Sequence, residues 1–365
     1  MKEIQAILSA YDRLQSIEAH RIALATVVYV EGSSYRRAGA RMLVAENGEF
    51  FGGISGGCLE GDALRRAKQA LIQSKPSVVR YDTREDDAHQ IGVGLGCNGV
   101  IDVLISPLHR DDPHNPMVVL RSCHADRKPN VLATITEVKG PVPNLQIGQM
   151  FRYAEETAPG TGLSPQIAKD VRQVFQDRKS TLVTYAAEEG SFTCFLEFLP
   201  PVMHLILQGG NYDIFPLLRI GKELGWKLTI VAPAKKLNKE AFELADAIVP
   251  EKTGPVETDD YTATVLMSHD YRTDLENLHK MLQTDIAYIA MLGPRKRTEK
   301  ILAELQSEYG KVVQPEALQR IYSPAGLDIG ALSPEEIALA IVAEITAAFA
   351  GRDGRFLRER TGPIH

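Results

Sequence analysis

Apolar residues near the start of the chain recur at helical spacing: Ile4, Ile7, Leu8, Tyr11, Leu14 and Ile17. A period of 3.6 places them on one face, so an amphipathic helix is expected near 2–18. The pattern then changes. From Arg21 to Val30 the chain is a near-continuous run of Val, Ala and Ile, which suits a buried strand. Residues 40–45 and 50–54 read as two more strands. Helical period returns from Cys58 through Ile72, carried by Leu59, Ala63, Leu64, Ala67 and Leu71. Val78–Tyr81 and Val100–Ile105 read as strands, whereas Pro107 to Pro116, crowded with Asp, His and Pro, reads as a loop. Residues 130–198 mix short strands with one helix near 164–176.

Pro200-Pro201 marks the main boundary, giving domains at 1–199 and 200–365. Beyond it the periods alternate: strand 203–208, helix 213–224, strands 227–232, 246–249 and 263–268, helix 271–283, strand 286–291, helix 295–308. Strands alternating with helices at this length predict a Rossmann-like, doubly wound parallel sheet, following an N-terminal α+β domain. A last helix is announced by Ser333-Pro334-Glu335-Glu336, with serine as N-cap, proline at the first position and glutamate three residues after the cap.

Composition narrows the class. The 365 residues are 44% hydrophobic and 24% charged, as in a globular protein with ample core. The formal net charge of -6 provides no global field for nucleic acid, so any anion site must be local. No apolar run approaches the length of a bilayer span and no secretory leader is evident. The cysteines at 58, 97, 123 and 194 show neither zinc spacing nor a disulfide framework, and free thiols in the cytoplasm are expected.

Two glycine-rich segments each hold one cysteine: 52–62, with Ser55-Gly56-Gly57-Cys58-Leu59-Glu60, and 92–99, with Cys97-Asn98-Gly99. Glycine admits close backbone approach to a ligand. Cys58 precedes a helix, whose N-terminus favours the thiolate. Cys58 could touch a sulfur- or metal-bearing ligand or be a small buried residue beside the turn, whereas Cys97, among four glycines in eight residues, is poorly suited to close a core. Cys123 and Cys194 sit in apolar periodic segments and are expected in the core. Upstream, Arg36, Arg37 and Arg41 lie in a loop with Gly32, Ser33, Ser34 and Gly39. Guanidinium forks suit phosphate or carboxylate, and equally suit a solvated loop.

In the second half, Gly209-Gly210-Asn211-Tyr212-Asp213-Ile214 occupies the first strand-to-helix turn. A dinucleotide site wants G-x-G-x-x-G there and an acid after the second strand. Only Gly209 fits, and the strand ends in Ala232-Pro233, so NAD(P) binding in the usual mode is disfavoured. Ser268-His269-Asp270 and Leu292-Gly293-Pro294-Arg295 end other strands at the same edge. His269 is a candidate proton carrier or a structural residue. Arg295, Lys296 and Arg297 oppose the dipole of the helix they open, which points to an anion or a compensating acid.

The 32–44 loop, Ser55-Gly56-Gly57-Cys58-Leu59-Glu60 and Cys97-Asn98-Gly99 together resemble the N-terminal region of the XdhC/CoxI family, the xanthine dehydrogenase accessory factors. Ser268-His269-Asp270, Leu292-Gly293-Pro294-Arg295 and the stretch from Ser323 to Ala338 resemble its Rossmann-like domain. Tyr35 stands where the family usually has proline. The resemblance implies a cofactor chaperone that binds molybdenum cofactor (molybdopterin) and assists its sulfuration and insertion into a xanthine dehydrogenase-type molybdoenzyme. A cysteine desulfurase as sulfur source and a homodimer are further expectations. On this reading Arg36, Arg37 and Arg41 hold the phosphate, the Ser55, Gly56, Gly57 and Glu60 loop approaches the ligand, and Cys58 and Cys97 face the dithiolene and metal. Gly209, His269, Asp270 and Arg295 line the far wall. The alternative is an NAD(P)-dependent oxidoreductase using the Rossmann-like domain.

Overall fold

The structure is a computed structural model that describes residues 1–16, 21–82, 84, 99–125, 127–154, 165–250, 256–309 and 315–361. The chain divides into two units, Met1–Pro201 and Val202–His365.

Unit 1 opens with α1 (Lys2–Gln15), whose Ile4, Ile7, Leu8, Tyr11 and Leu14 are buried as the period requires. Then come β1 (Ile22–Gly32), β2 (Arg41–Ala45), β3 (Phe50–Gly52), α2 (Glu60–Gln73), β4 (Ser77–Asp82) and β5 (Gly99–Pro107). They build a sheet of order β3-β2-β1-β5-β4, antiparallel throughout. One face buries Ala23, Ala25, Met42 and Val103 against Ala63, Ala67 and Leu71 of α2. The other buries Leu24 and Leu43 against α1 and against Met117 and Leu120 of α3 (Pro116–Ala125). A second sheet follows: β6 (Asn130–Lys139), β7 (Met150–Ala154), α4 (Pro165–Asp177), β8 (Thr181–Ala186) and β9 (Ser191–Leu199), ordered β7-β6-β9-β8. Cys194 and Leu196 of β9 face Ile167, Val171 and Val174 of α4. Cys123 and Cys194 are core residues, and burial raises their thiols to about 11 and about 12.

Unit 2 runs β10 (His204–Gln208), α5 (Ile214–Leu224), β11 (Lys227–Val231), α6 (Lys239–Leu244), β12 (Ala247–Val249), β13 (Thr262–Leu266), α7 (Tyr271–Met281), β14 (Tyr288–Met291), α8 (Arg295–Tyr309), α9 (Pro315–Leu318), β15 (Ile321–Tyr322) and α10 (Pro334–Phe349). All its strand pairs are parallel, in the order β12-β11-β10-β13-β14-β15. That is the Rossmann order, with the switch point between β10 and β13. Apolar residues on both faces explain the unbroken runs: Leu205, Leu207 and Val265 pack toward α5 and α10, Leu266 and Ile289 toward α7 and α8. No helix among the described residues is long and apolar enough to cross a membrane.

The cap of α10 forms as its sequence requires. Ser333 Oγ accepts the Glu336 N–H, and Glu336 accepts the N–H of Ser333 and of Leu332, each at 2.8 Å. Removing the hydroxyl in Ser333→Ala should cost about 1 kcal/mol. The thermal midpoint of unit 2 should fall by about 2–4 °C. Scanning calorimetry on the two proteins checks this, and Ser333→Asp should recover the loss.

Candidate functional site

Unit 1 brings the arginine loop and the Cys58 loop together. Gly53 N–H donates to Arg41 O at 2.9 Å, and the Tyr35 ring lies against Gly56. The third segment ends in the same place, because Gly99 pairs with Gly32 and a Cβ on it would stand 2.5 Å from the Ser33 carbonyl oxygen. Cys97 and Asn98 lie outside the described residues.

The three arginines take different roles. Arg41 is only 2% exposed and grips Glu197 of β9 with both terminal nitrogens; its Nη1 reaches Oε1 at 3.1 Å and also donates to Gly39 O at 2.7 Å. Arg41, expected to hold a phosphate, has its charge matched by an internal carboxylate. Arg36 pairs with Glu3, which also accepts the Arg41 backbone N–H at 2.9 Å. Arg37 is exposed and has no ion pair among the described residues. Together with Tyr35, Gly39, Glu3 and Glu197 the arginines line a cleft of about 520 Å³. Two buried polar atoms here find no partner among the described residues: Ser34 Oγ and Arg41 Nε. Buried groups of this kind normally carry a hydrogen bond.

The Cys58 loop carries its own anion. Glu60 accepts N–H groups from Ile54 (3.2 Å), Ser55 (2.8 Å) and Gly57 (3.0 Å), and also the Ser55 hydroxyl. Ser55 Oγ in turn accepts the N–H of Cys58 at 3.1 Å and of Leu59 at 2.9 Å. Burial pushes the Glu60 carboxyl up, but the Ser55 and backbone hydrogen bonds prevail and hold it below its ordinary value. Ser55 and Glu60, expected to approach a ligand, shape the loop. Gly57 has φ 113 and open space where a side chain would stand, and Cys58 beside it is partly exposed. Among the described residues no three His, Cys, Asp or Glu gather to hold a metal ion, so Cys58 offers a single sulfur donor.

In unit 2 the residues expected at the sheet edge are largely occupied. A side chain on Gly209 would strike the Met267 carbonyl, so this glycine serves the close approach of β10 to β13. Asn211 donates across the switch point to Ser268 O at 3.2 Å. Asp270 caps α7 by accepting the Thr273 N–H at 2.8 Å, the bond that lowers its pKa. His269, with φ 60, places Nε2 2.5 Å from Asp213 Oδ2, and Asp213 is the N-cap of α5. The compensating acid for α8 is Asp274, buried and bound by Arg297 at 2.6 Å and by the Ser268 hydroxyl at 2.6 Å. Arg295 is exposed, with no ion pair among the described residues. Glu197, Glu3 and Asp274 escaped the sequence reading because each lies far along the chain from the arginine it neutralises.

Removing one partner of a buried pair strands the other charge. Glu197→Ala should destabilise unit 1 by about 3–5 kcal/mol. Arg37→Ala should stay within about 0.5 kcal/mol of wild type. Urea unfolding of both variants tests the contrast. Glu60 supplies a pH test, since its stabilisation is full above the ordinary carboxylate value near 4.5 and is lost as pH falls through the lower folded value. The stability gap between wild type and Glu60→Gln should therefore narrow as the pH falls below about 4.5. A gap independent of pH would contradict this assignment.

Comparison with known proteins identifies a domain in each half of the chain. Residues 17–82 match the family model of the XdhC and CoxI family, and residues 205–345 match that of the XdhC Rossmann domain. The chain is 28% identical over 327 residues to a probable xanthine dehydrogenase subunit of Bacillus subtilis, covering 88% of this chain and 91% of that one. It is 22% identical over 324 residues to the molybdenum cofactor insertion chaperone PaoD of Escherichia coli, covering 89% of this chain and 82% of PaoD. A crystal structure described as a xanthine dehydrogenase from Bacillus halodurans superposes with a TM-score of 0.70 at 27% identity, covering 95% of this chain and 97% of the other. Both matched regions thus carry domains of one set of proteins, and the chain belongs to the XdhC and CoxI family.

Proposed function

We propose that the chain binds molybdenum cofactor and assists its sulfuration and insertion into a xanthine dehydrogenase-type molybdoenzyme. The relatives named for xanthine dehydrogenase and for cofactor insertion support a maturation role. The observation that carries the reading is the juxtaposition of the arginine cleft with the Cys58 loop in unit 1. Molybdopterin is a cargo with a phosphate, a dithiolene and a polar pterin. Its dithiolene already chelates the metal, so a protein holding it needs a phosphate contact and a sulfur donor, not a ligand cage. Arg37 is the cation available to the phosphate. Cys58 offers the thiol. Cys97, a cysteine desulfurase as partner and a homodimer belong to the same proposal.

The oxidoreductase alternative has less support. Asn211 and Ile214 replace fingerprint glycines, Ala232 supplies no carboxylate to a ribose, and Asp213 puts a negative charge at the helix start where a pyrophosphate would sit.

The test is expression in a molybdopterin-producing host, with pterin and molybdenum measured on the purified protein. Wild type should retain both. Arg37→Ala should bind more weakly, losing about 1.5–3 kcal/mol with a dependence on salt. Cys58→Ser should keep its melting temperature and lose molybdenum. Unchanged retention in both variants, or tight binding of NAD(H) with no pterin, would overturn the reading.

A further inference from the structure

Tyr35 joins the two halves of the unit 1 site. It is 75% exposed, unusual for so large an aromatic group, and it lines the arginine cleft. Three of its ring carbons, Cδ1, Cγ and Cδ2, lie 3.2, 3.2 and 3.6 Å from the point a Cβ on Gly56 would occupy. Such near-equal distances lay the ring broadside on the Gly56 backbone. Any side chain at 56 would crowd it, so the missing Cβ is what lets the ring settle there. One side of the ring is thus supported by backbone, and the residue as a whole remains open to solvent.

The loop bearing Tyr35 is fixed at both ends. At its start, Gly32 pairs with Gly99 in the sheet; at its end, Gly39 N–H donates to Val27 O at 2.7 Å and Ala40 N–H to Arg37 O at 3.0 Å. A mobile loop would lose ordering entropy with every ligand contact, and a loop held this way does not. Ser34 next in line has its buried hydroxyl unpartnered, and Arg37 two positions on has no ion pair among the described residues. Aromatic ring and guanidinium are thereby offered within three consecutive residues, and the Cys58 thiol is two residues beyond the glycine on which the ring rests.

We propose that Tyr35 is a stacking platform for the bicyclic pterin of the cargo, an inference that rests on the cofactor-binding reading above. A flat, polar heterocycle gains from a fixed aromatic face, while its edges keep their hydrogen bonds to water or backbone. Tyr35 is accordingly a specificity residue. It favours a ligand with a fused ring over phosphate or a simple thiol, neither of which has a face to stack.

The experiment uses full-length protein purified without cofactor and molybdopterin released anaerobically from a molybdoenzyme as probe. Binding is read by ultrafiltration and pterin fluorescence after oxidation, with thermal midpoints measured in parallel. Tyr35→Phe keeps the ring and should bind within about twofold of wild type. Tyr35→Ala should raise Kd by about tenfold or more at an unchanged midpoint. Equal binding by Tyr35→Ala and wild type, while Arg37→Ala weakens it, would overturn the stacking role and leave the cofactor reading intact. Loss of binding in Tyr35→Phe as large as in Tyr35→Ala would assign the effect to the hydroxyl and overturn stacking as well. No molybdopterin binding by wild type would defeat both proposals together.

Discussion

The buried pair of Arg41 and Glu197 is the interaction on which the rest of unit 1 depends. It links β2 of the first sheet to β9 of the second, two strands that share no ladder. Two charges removed from water are costly, and their mutual attraction together with the Gly39 carbonyl offsets much of that cost. The pair also dictates its surroundings. Gly39 must lack a side chain so that the Glu197 carboxylate can come close, and Glu3 of α1 is drawn in to hold the Arg41 N–H and the Arg36 guanidinium. What looks in sequence like a concentrated positive loop becomes a largely neutralised one, with a single side chain left to meet an outside anion.

This explains which parts of the molecule were legible beforehand. Unit 2 was readable because each strand and helix announces itself locally: unbroken apolar runs for strands buried on both faces, and a Ser-Pro-Glu-Glu start for α10. The amphipathic α1 was readable for the same reason, ending a few residues before the apolar pattern suggested. Helix α3 was not foreseen. It begins at Pro116, where the expected loop ends, and its apolar residues lie on several sides. The two-residue β15 is too short to have a period. The partners of Arg41, Arg36 and Arg297 were invisible because an ion pair across the fold leaves no spacing to read.

The sheet edge of unit 2 shows how a Rossmann order can persist while its customary chemistry is displaced. The strand order places β10 and β13 side by side at the switch point, where such sheets leave a crevice. Here the Asn211 amide reaches across to Ser268, and the carboxylate of Asp213 stands at the head of α5 with His269 upon it. The backbone geometry is inherited by the fold; the polar side chains decide what enters.

The internal carboxylate of the Cys58 loop has a consequence for selectivity. A cradle of N–H groups at the head of a helix would ordinarily collect inorganic phosphate or sulfate, which cells hold in large excess over any pterin. With Glu60 seated among those donors, a free oxyanion must displace a covalently tethered competitor whose local concentration never falls. The donors beside the Cys58 thiol are thereby closed to common anions.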